Sequence, residues 1–356
     1  MTILIFILIL SLLVIVHELG HFIAAKRQGV LVEEFGIGFP PRVFGIKKGE
    51  TTYSINLLPI GGFVKLYGEE YTQIEGKKET TNRNRAFAYK HPWQKSLIIV
   101  AGVIGNFLLG WVLISFLFTQ GVPSPINKVL IESVQPNSPA ANADLQTNDL
   151  VVEVVYQNKK YSTKSSSDLI DLTKKFAGKT ISLTVERKEK TFSTTIIPRE
   201  KLEKGEGRLG IVITSFIEKK YPWYQAPFFG LIESFKITAT IVRELTRTLI
   251  QLLSFQKPQV DVAGPIRIAG YVGQAVKFGK NAVLEIAALL SLNLAVINIL
   301  PFPALDGGRL IFALYEWGTK KRVNQKIEQM VNLIGFAILI SLAVLISIND
   351  IISIYK

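Results

Sequence analysis

The chain has no cysteine among its 356 residues. That excludes disulfides and thiolate ligands together, so any metal must be held by nitrogen and oxygen donors. Histidine is almost as scarce: there are three, and two of them, His17 and His21, stand four residues apart. Lysine and arginine are missing from the first 25 residues, although the chain as a whole carries a formal charge of +13. A cleavable signal peptide starts with a basic stretch ahead of its apolar core, so the N-terminal segment is expected to be retained. The distribution of charge also speaks against a nucleic-acid partner. Twelve of the basic residues fall between positions 26 and 95, starting at Lys26 and Arg27. By the positive-inside rule such a loop is cytoplasmic and the N-terminus faces outward.

What is present is apolar. With 48% hydrophobic residues the chain is too greasy for an ordinary soluble protein of its size, and its class is membrane. The first span occupies residues 1–25, where Ile3 to Val16 is broken only by Ser11. A second runs over 97–118 without a charge and carries Gly102, Gly105, Asn106 and Gly110, small residues that suit close helix packing. For Asn106, an interhelical hydrogen bond and a role in a site are equally good readings. A third covers 284–308 and a fourth 331–350, with Lys320, Lys321, Arg322 and Lys326 between them marking another cytoplasmic end.

Between the first two spans, residues 26–96 hold short β-prone runs punctuated by glycine, which predict hairpins followed by a solvated loop from Glu69 to Lys95. Residues 122–200 predict a soluble domain. There, Val134-Gln135-Pro136-Asn137-Ser138-Pro139-Ala140-Ala141 followed by Asp149 resembles the PDZ pattern, with Asp144 and Asn148 where that pattern has glycine. Residues 201–283 predict a linker, with an amphipathic helix from Phe228 to Phe255 lying at the membrane surface and a break at Pro258, Gly264 and Pro265. The expected fold is an α-helical membrane protein with four transmembrane helices, a membrane-associated β-hairpin region and an inserted extracytoplasmic PDZ (α+β) domain.

The chemistry is concentrated in His17-Glu18-Leu19-Gly20-His21. Residues four apart share a helix face, so two imidazoles can meet one zinc ion with Glu18 beside them to take a proton from water. A carboxylate and two imidazoles at membrane depth are costly and mark a functional site by default. A catalytic zinc needs a third protein ligand. A third histidine ten residues after His17 is ruled out, because that position is Arg27. Glu33 and Glu34 sit in the predicted β region and are poor candidates. Asp306 is better placed, since the third span would deliver it to the cytoplasmic end that His17 and His21 also reach.

His17-Glu18-x-x-His21 together with Asn298-x-x-Pro301-x-Pro303-x-Leu305-Asp306-Gly307 resembles the site-2 protease family of intramembrane zinc metalloproteases. Phe35-Gly36-Ile37-Gly38 and Leu58-Pro59-Ile60-Gly61-Gly62 are similar to that family's hairpin re-entering the membrane. Within the family the chain resembles the bacterial branch that cleaves anti-sigma factors, with one PDZ domain where well-studied members carry two. The resemblance implies Zn2+ held by His17, His21 and Asp306, Glu18 as catalytic base, and substrate contacts from Asn293, Asn298, Pro301, Gly61 and Gly62. It implies single-pass membrane substrates whose ectodomains an upstream protease has trimmed, anti-sigma factors or remnant signal peptides among them. It also implies residence in a bacterial cytoplasmic membrane, with both termini outside and the active site near the cytoplasmic side. The competing expectations are an ion or solute transporter using intramembrane charges, and a catalytically inactive membrane scaffold presenting a PDZ domain.

Overall fold

A computed structural model describes residues 2–69, 80–202, 206–254, 256 and 263–354. Part of the loop expected between Glu69 and Lys95, residues 70–79, lies outside the described residues, as does the break expected at Pro258. Two compact units emerge, one of residues 1–119 with 222–356 and one of residues 120–221.

Among the described residues the first unit has four helices long and apolar enough to cross a membrane. They are α1 (Thr2–Arg27), α2 (Pro92–Gln120), α7 (Lys280–Ile299) and α9 (Gln325–Ile354). In lipid every backbone polar group must find its partner internally, which is why such uninterrupted apolar runs are helical. α1 stops where Gly29 takes φ +66°, letting the Val30 N–H reach back to the Ala25 carbonyl at 2.9 Å. α2 starts five residues before the apolar run, because Lys95 is neutralised by Glu316 at 2.7 Å in a pair that is almost fully buried. α9 likewise extends the expected fourth span at both ends.

Among the described residues this unit has three further α-helices, α5 (Ala226–Leu253), α6 (Pro265–Phe278) and α8 (Asp306–Thr319). α5 matches the expected amphipathic helix in position. α6 corrects the expectation of a break: Gly264 is its N-cap and Pro265 its first residue, a position where proline's missing N–H costs nothing. The third span also ends earlier than expected. α7 stops at Ile299, and a turn through Leu300–Leu305 leads to Asp306, which opens α8 rather than closing α7.

The hairpin region is a curled ribbon of β1 (Val32–Lys48) and β2 (Thr51–Leu66). Glu34 to Ile37 pair on one side with Thr52 to Ile55 and on the other with Gly62 to Lys65, while Arg42 to Lys48 pair with Thr51 to Asn56. The outlying arm leaves Val43, Phe44, Ile46 and Leu57 exposed, an apolar surface fit for lipid.

The second unit is a six-stranded antiparallel sheet. Its strands are β3 (Val122–Val134), β4 (Leu150–Tyr156), β5 (Lys159–Ser162), β6 (Ile181–Arg187), β7 (Lys190–Ile196) and β8 (Ile211–Lys219). They run in the order β7-β6-β4-β3-β8, with β5 also on β4. A short α3 (Pro139–Asn142) and the longer α4 (Ser166–Lys175) accompany it; Ser165 and Asp168 form a capping box at the start of α4. Val129, Ile131, Val151, Val154, Leu183 and Val185 are fully buried and form its core. The unit runs to Tyr221 rather than residue 200, because β8 returns to pair with β3 along its length, from Val122 with Lys219 to Val134 with Ile211.

Candidate metal centre

Two helices must approach closely to build the site. Where α1 crosses α2, a methyl group on Gly20 would overlap the Ala101 carbonyl, and one on Gly102 would overlap His21 Nε2 and lie 2.9 Å from His17 Cε1. The small residues of α2 thus make room for both imidazoles. The turn after α7 then brings Asp306 to the same place. His17 Nε2 lies 2.9 Å from Asp306 Oδ2, His21 Nε2 lies 3.3 Å from that oxygen, and the two Nε2 atoms are 3.1 Å apart.

Among the described residues this is the only group of three or more potential metal-ligating side chains gathered so closely. The donor set passes a simple test of fit. Tetrahedral zinc with bonds of about 2.0–2.1 Å sets its ligand atoms about 3.3 Å apart, close to the three separations found. Among the described residues none donates a hydrogen bond to Asp306 Oδ2, which is buried, a costly state for a carboxylate oxygen unless a cation answers it.

The outer contacts fix which nitrogen faces inward. His21 Nδ1 donates to the Ile98 carbonyl at 2.8 Å, leaving the Nε2 lone pair for a ligand. His17 Nδ1 lies 3.2 Å from the carboxamide of Asn106, which is completely buried. A His17 that binds through Nε2 carries its proton on Nδ1 and needs an acceptor there. With the amide turned over, Asn106 supplies Oδ1, an atom that otherwise has no partner among the described residues.

Glu18 stands beside these ligands, with the backbone N–H of Val64 from β2 directed toward its carboxylate. A cavity of about 190 Å³ is lined by His17, Glu18, His21, Asp306, Phe63 and Val64, with Glu69 and Arg309 among its other walls. Arg309, one turn after Asp306 on α8, is ion-paired with Glu69. Glu33 and Glu34 are engaged elsewhere, by Lys65 at 3.0 Å and by Arg42 at 2.5 Å.

The residues expected to contact substrate are divided by the structure. Asn298 reaches the site, 3.3 Å from His17 Nε2. Gly62 also does, since a methyl there would come within 3.8 Å of Glu18 Cγ. Gly61 takes φ +93° and faces Phe39 instead. Pro301 is exposed in the turn ahead of Asp306. Asn293 is five residues from Asn298 on α7, roughly 140° around the helix, and so points to another face. The Val64 N–H and the Ile98 carbonyl were not foreseeable as partners, being backbone groups with no signature in the sequence.

Comparison with known proteins points to one family. The family model described as Peptidase family M50 matches residues 5–342. A Clostridium perfringens protein assigned as a zinc metalloprotease is 36% identical over 96% of both chains. The regulator of sigma-W protease RasP of Bacillus subtilis is 30% identical over 98% of both chains. Among solved structures, the PDZ domain of an SdrC-like protein from Listeria innocua is 28% identical, covering 24% of this chain and 92% of that one with a TM-score of 0.21.

Proposed function

The chain belongs to peptidase family M50 and is a membrane metalloprotease, and on that premise we propose that His17, His21 and Asp306 hold a zinc ion while Glu18 moves the proton in cleaving peptide bonds within the membrane. The observation that carries this reading is the convergence of Asp306 on two imidazoles that precede it by 289 and 285 residues. Family membership removes the transporter reading.

Zinc, when bound there, supplies the positive charge that acidifies a water and polarises a carbonyl. Glu18 then takes a proton from the attacking water, held in register by the Val64 N–H. As the C–N bond of the substrate breaks, Glu18 returns that proton to the leaving nitrogen. Asn106 and the Ile98 carbonyl keep the two imidazoles in the tautomer and orientation that present Nε2. Asn298 offers a carboxamide to the substrate backbone next to His17.

A transmembrane helix hides its carbonyls in its own hydrogen bonds, so the substrate must unwind to be cut. The segment Gly62–Leu66 of β2 runs beside Glu18 and supports the reading that an unwound strand pairs there. The substrate class we propose is single-pass membrane proteins already trimmed by another protease, anti-sigma factors or remnant signal peptides among them. The basic residues flanking the spans support a bacterial cytoplasmic membrane location, both termini outward, and a site near the cytoplasmic side. The sheet domain is proposed to be an extracytoplasmic PDZ domain, on its sequence pattern and its strands with α4.

Glu18→Gln tests the mechanism. It keeps the shape and the hydrogen bond but cannot carry a proton. Cleavage of a co-expressed membrane substrate should fall by roughly 10²–10⁴-fold, while the purified variant retains about one zinc per chain. Unimpaired cleavage would remove Glu18 from its role, and no metal in the wild-type protein would leave the inactive-scaffold reading standing.

A further inference from the structure

The turn that delivers Asp306 is held partly from outside itself. Between Leu300 and Leu305, Pro301 and Pro303 have no N–H to give, and Ala304 adopts φ +69°, a left-handed conformation that a side chain disfavours. The turn's own hydrogen bonds are Phe302 N–H to the Leu300 carbonyl at 2.7 Å and Leu305 N–H to the Phe302 carbonyl at 3.2 Å. The Ala304 N–H points out of the turn and is accepted by Asn332 Oδ1 of the fourth span, α9, at 3.2 Å. One turn further along the same face of α9 is Gly335, where a methyl group would overlap Pro303 and come within 2.7 Å of its carbonyl oxygen. Two successive residues of the turn therefore rest on two residues of α9, and Asp306 follows two positions later.

Asn332 is conspicuous on this helix. Its neighbours Leu333, Ile334 and Phe336 are exposed apolar side chains suited to lipid. A carboxamide among them is retained at a cost in a bilayer, which its bond to the turn offsets.

We propose that Asn332, with Gly335, is a positioning residue for Asp306: the inner end of the fourth span fixes the strained turn and so sets where the carboxylate stands relative to the two imidazoles. Asn332 touches neither metal nor substrate and acts through Ala304. The proposal rests on the reading of Asp306 as a metal ligand.

The test is zinc affinity of the purified full-length protein in detergent, measured by competition with a chromophoric chelator, with Tm recorded beside it. Asn332→Leu, which removes the acceptor, and Gly335→Ala, which pushes on Pro303, should each weaken zinc binding roughly 10–100-fold, the usual effect of losing an outer contact to a metal site. Asn332→Asp keeps an oxygen at the same reach and should restore affinity to within about threefold of wild type. Leu333→Ala, on the lipid face, should leave affinity unchanged.

Wild-type affinity in Asn332→Leu and Gly335→Ala, with affinity lost in Asp306→Ala, would overturn the positioning role alone. Weakening in Leu333→Ala equal to that in Asn332→Leu would also overturn it, by showing a general loosening of the helix. Wild-type affinity in Asp306→Ala would instead bring down the ligand assignment beneath it. Should Asn332→Leu fail to fold, Gly335→Ala and Asn332→Asp decide the matter.

Discussion

At the scale of single residues, the site depends on atoms that are missing as well as those present. Gly102 illustrates this, because any side chain there would occupy the space into which His17 and His21 point. Gly102→Ala should therefore displace the imidazoles and lower zinc content and cleavage together, whereas Gly270→Ala, at a helical glycine with open space around it, should change neither. Metal analysis and a cleavage assay on both variants check the expectation. The local spacing of His17, Glu18 and His21 was legible in the sequence because a helix repeats every 3.6 residues and all three lie on one helix. Asn106 was legible only as a choice between an interhelical hydrogen bond and a role in the site, because its partner His17 is 89 residues away and nothing in its own span shows which face meets α1.

At the scale of elements, β2 contributes through its backbone. The Val64 N–H meets Glu18, and the same segment is proposed to pair with an unwound substrate. Val64→Pro removes that donor. Cleavage should fall at least tenfold with zinc content unchanged; Val64→Thr, which keeps the N–H and the β-branched shape, should stay near wild type. The turn between β1 and β2 holds a second testable contact. Glu50 meets Lys26 at the end of α1 at 2.9 Å and Arg85 at 2.6 Å, and the hydrogen bonds from Arg85 and then Lys26 bring its pKa down from 4.5 to about 2. A carboxylate held low stabilises the fold above its unfolded pKa and loses that effect as pH falls through the folded one. The Tm difference between wild type and Glu50→Gln should thus be present at pH 6, shrink as pH drops from 4.5 toward about 2, and remain modest because the pair is partly exposed and screened. Helices were read from the sequence where they were long and apolar. α6 and α8 escaped because each has only 14 residues and opens on Gly-Pro or Asp-Gly-Gly. Those dipeptides signal turns on average, and here tertiary packing made them helix starts.

At the scale of the whole molecule, the sheet domain is an insertion whose ends meet. Val122 pairs with Lys219, so the chain leaves α2 and re-enters before α5 at nearly one point. This closure was hidden from the sequence, because β8 lies 77 residues beyond the end of β3 and its pairing depends on contacts that no local pattern encodes. It also makes the domain removable: residues 122–219 can be replaced by a short Gly-Ser linker without pulling α2 and α5 apart. Two roles for the domain then predict opposite results. If it excludes bulky ectodomains, the deleted protein should cleave an untrimmed membrane substrate that the full chain leaves intact. If its groove must capture the C-terminus created by trimming, the deleted protein should fail on the trimmed substrate as well. We expect the first outcome. The Ser166 N–H and hydroxyl at the start of α4 are bonded to the Ser215 hydroxyl of β8 at 2.7 and 2.9 Å, so on the proposed PDZ reading a peptide added as a strand between α4 and β8 would have to part them. Cleavage of trimmed and untrimmed versions of one substrate, compared in cells carrying the full and deleted chains, checks it. Loss of cleavage of the trimmed form, with zinc still bound, would show instead that the groove opens to receive a ligand.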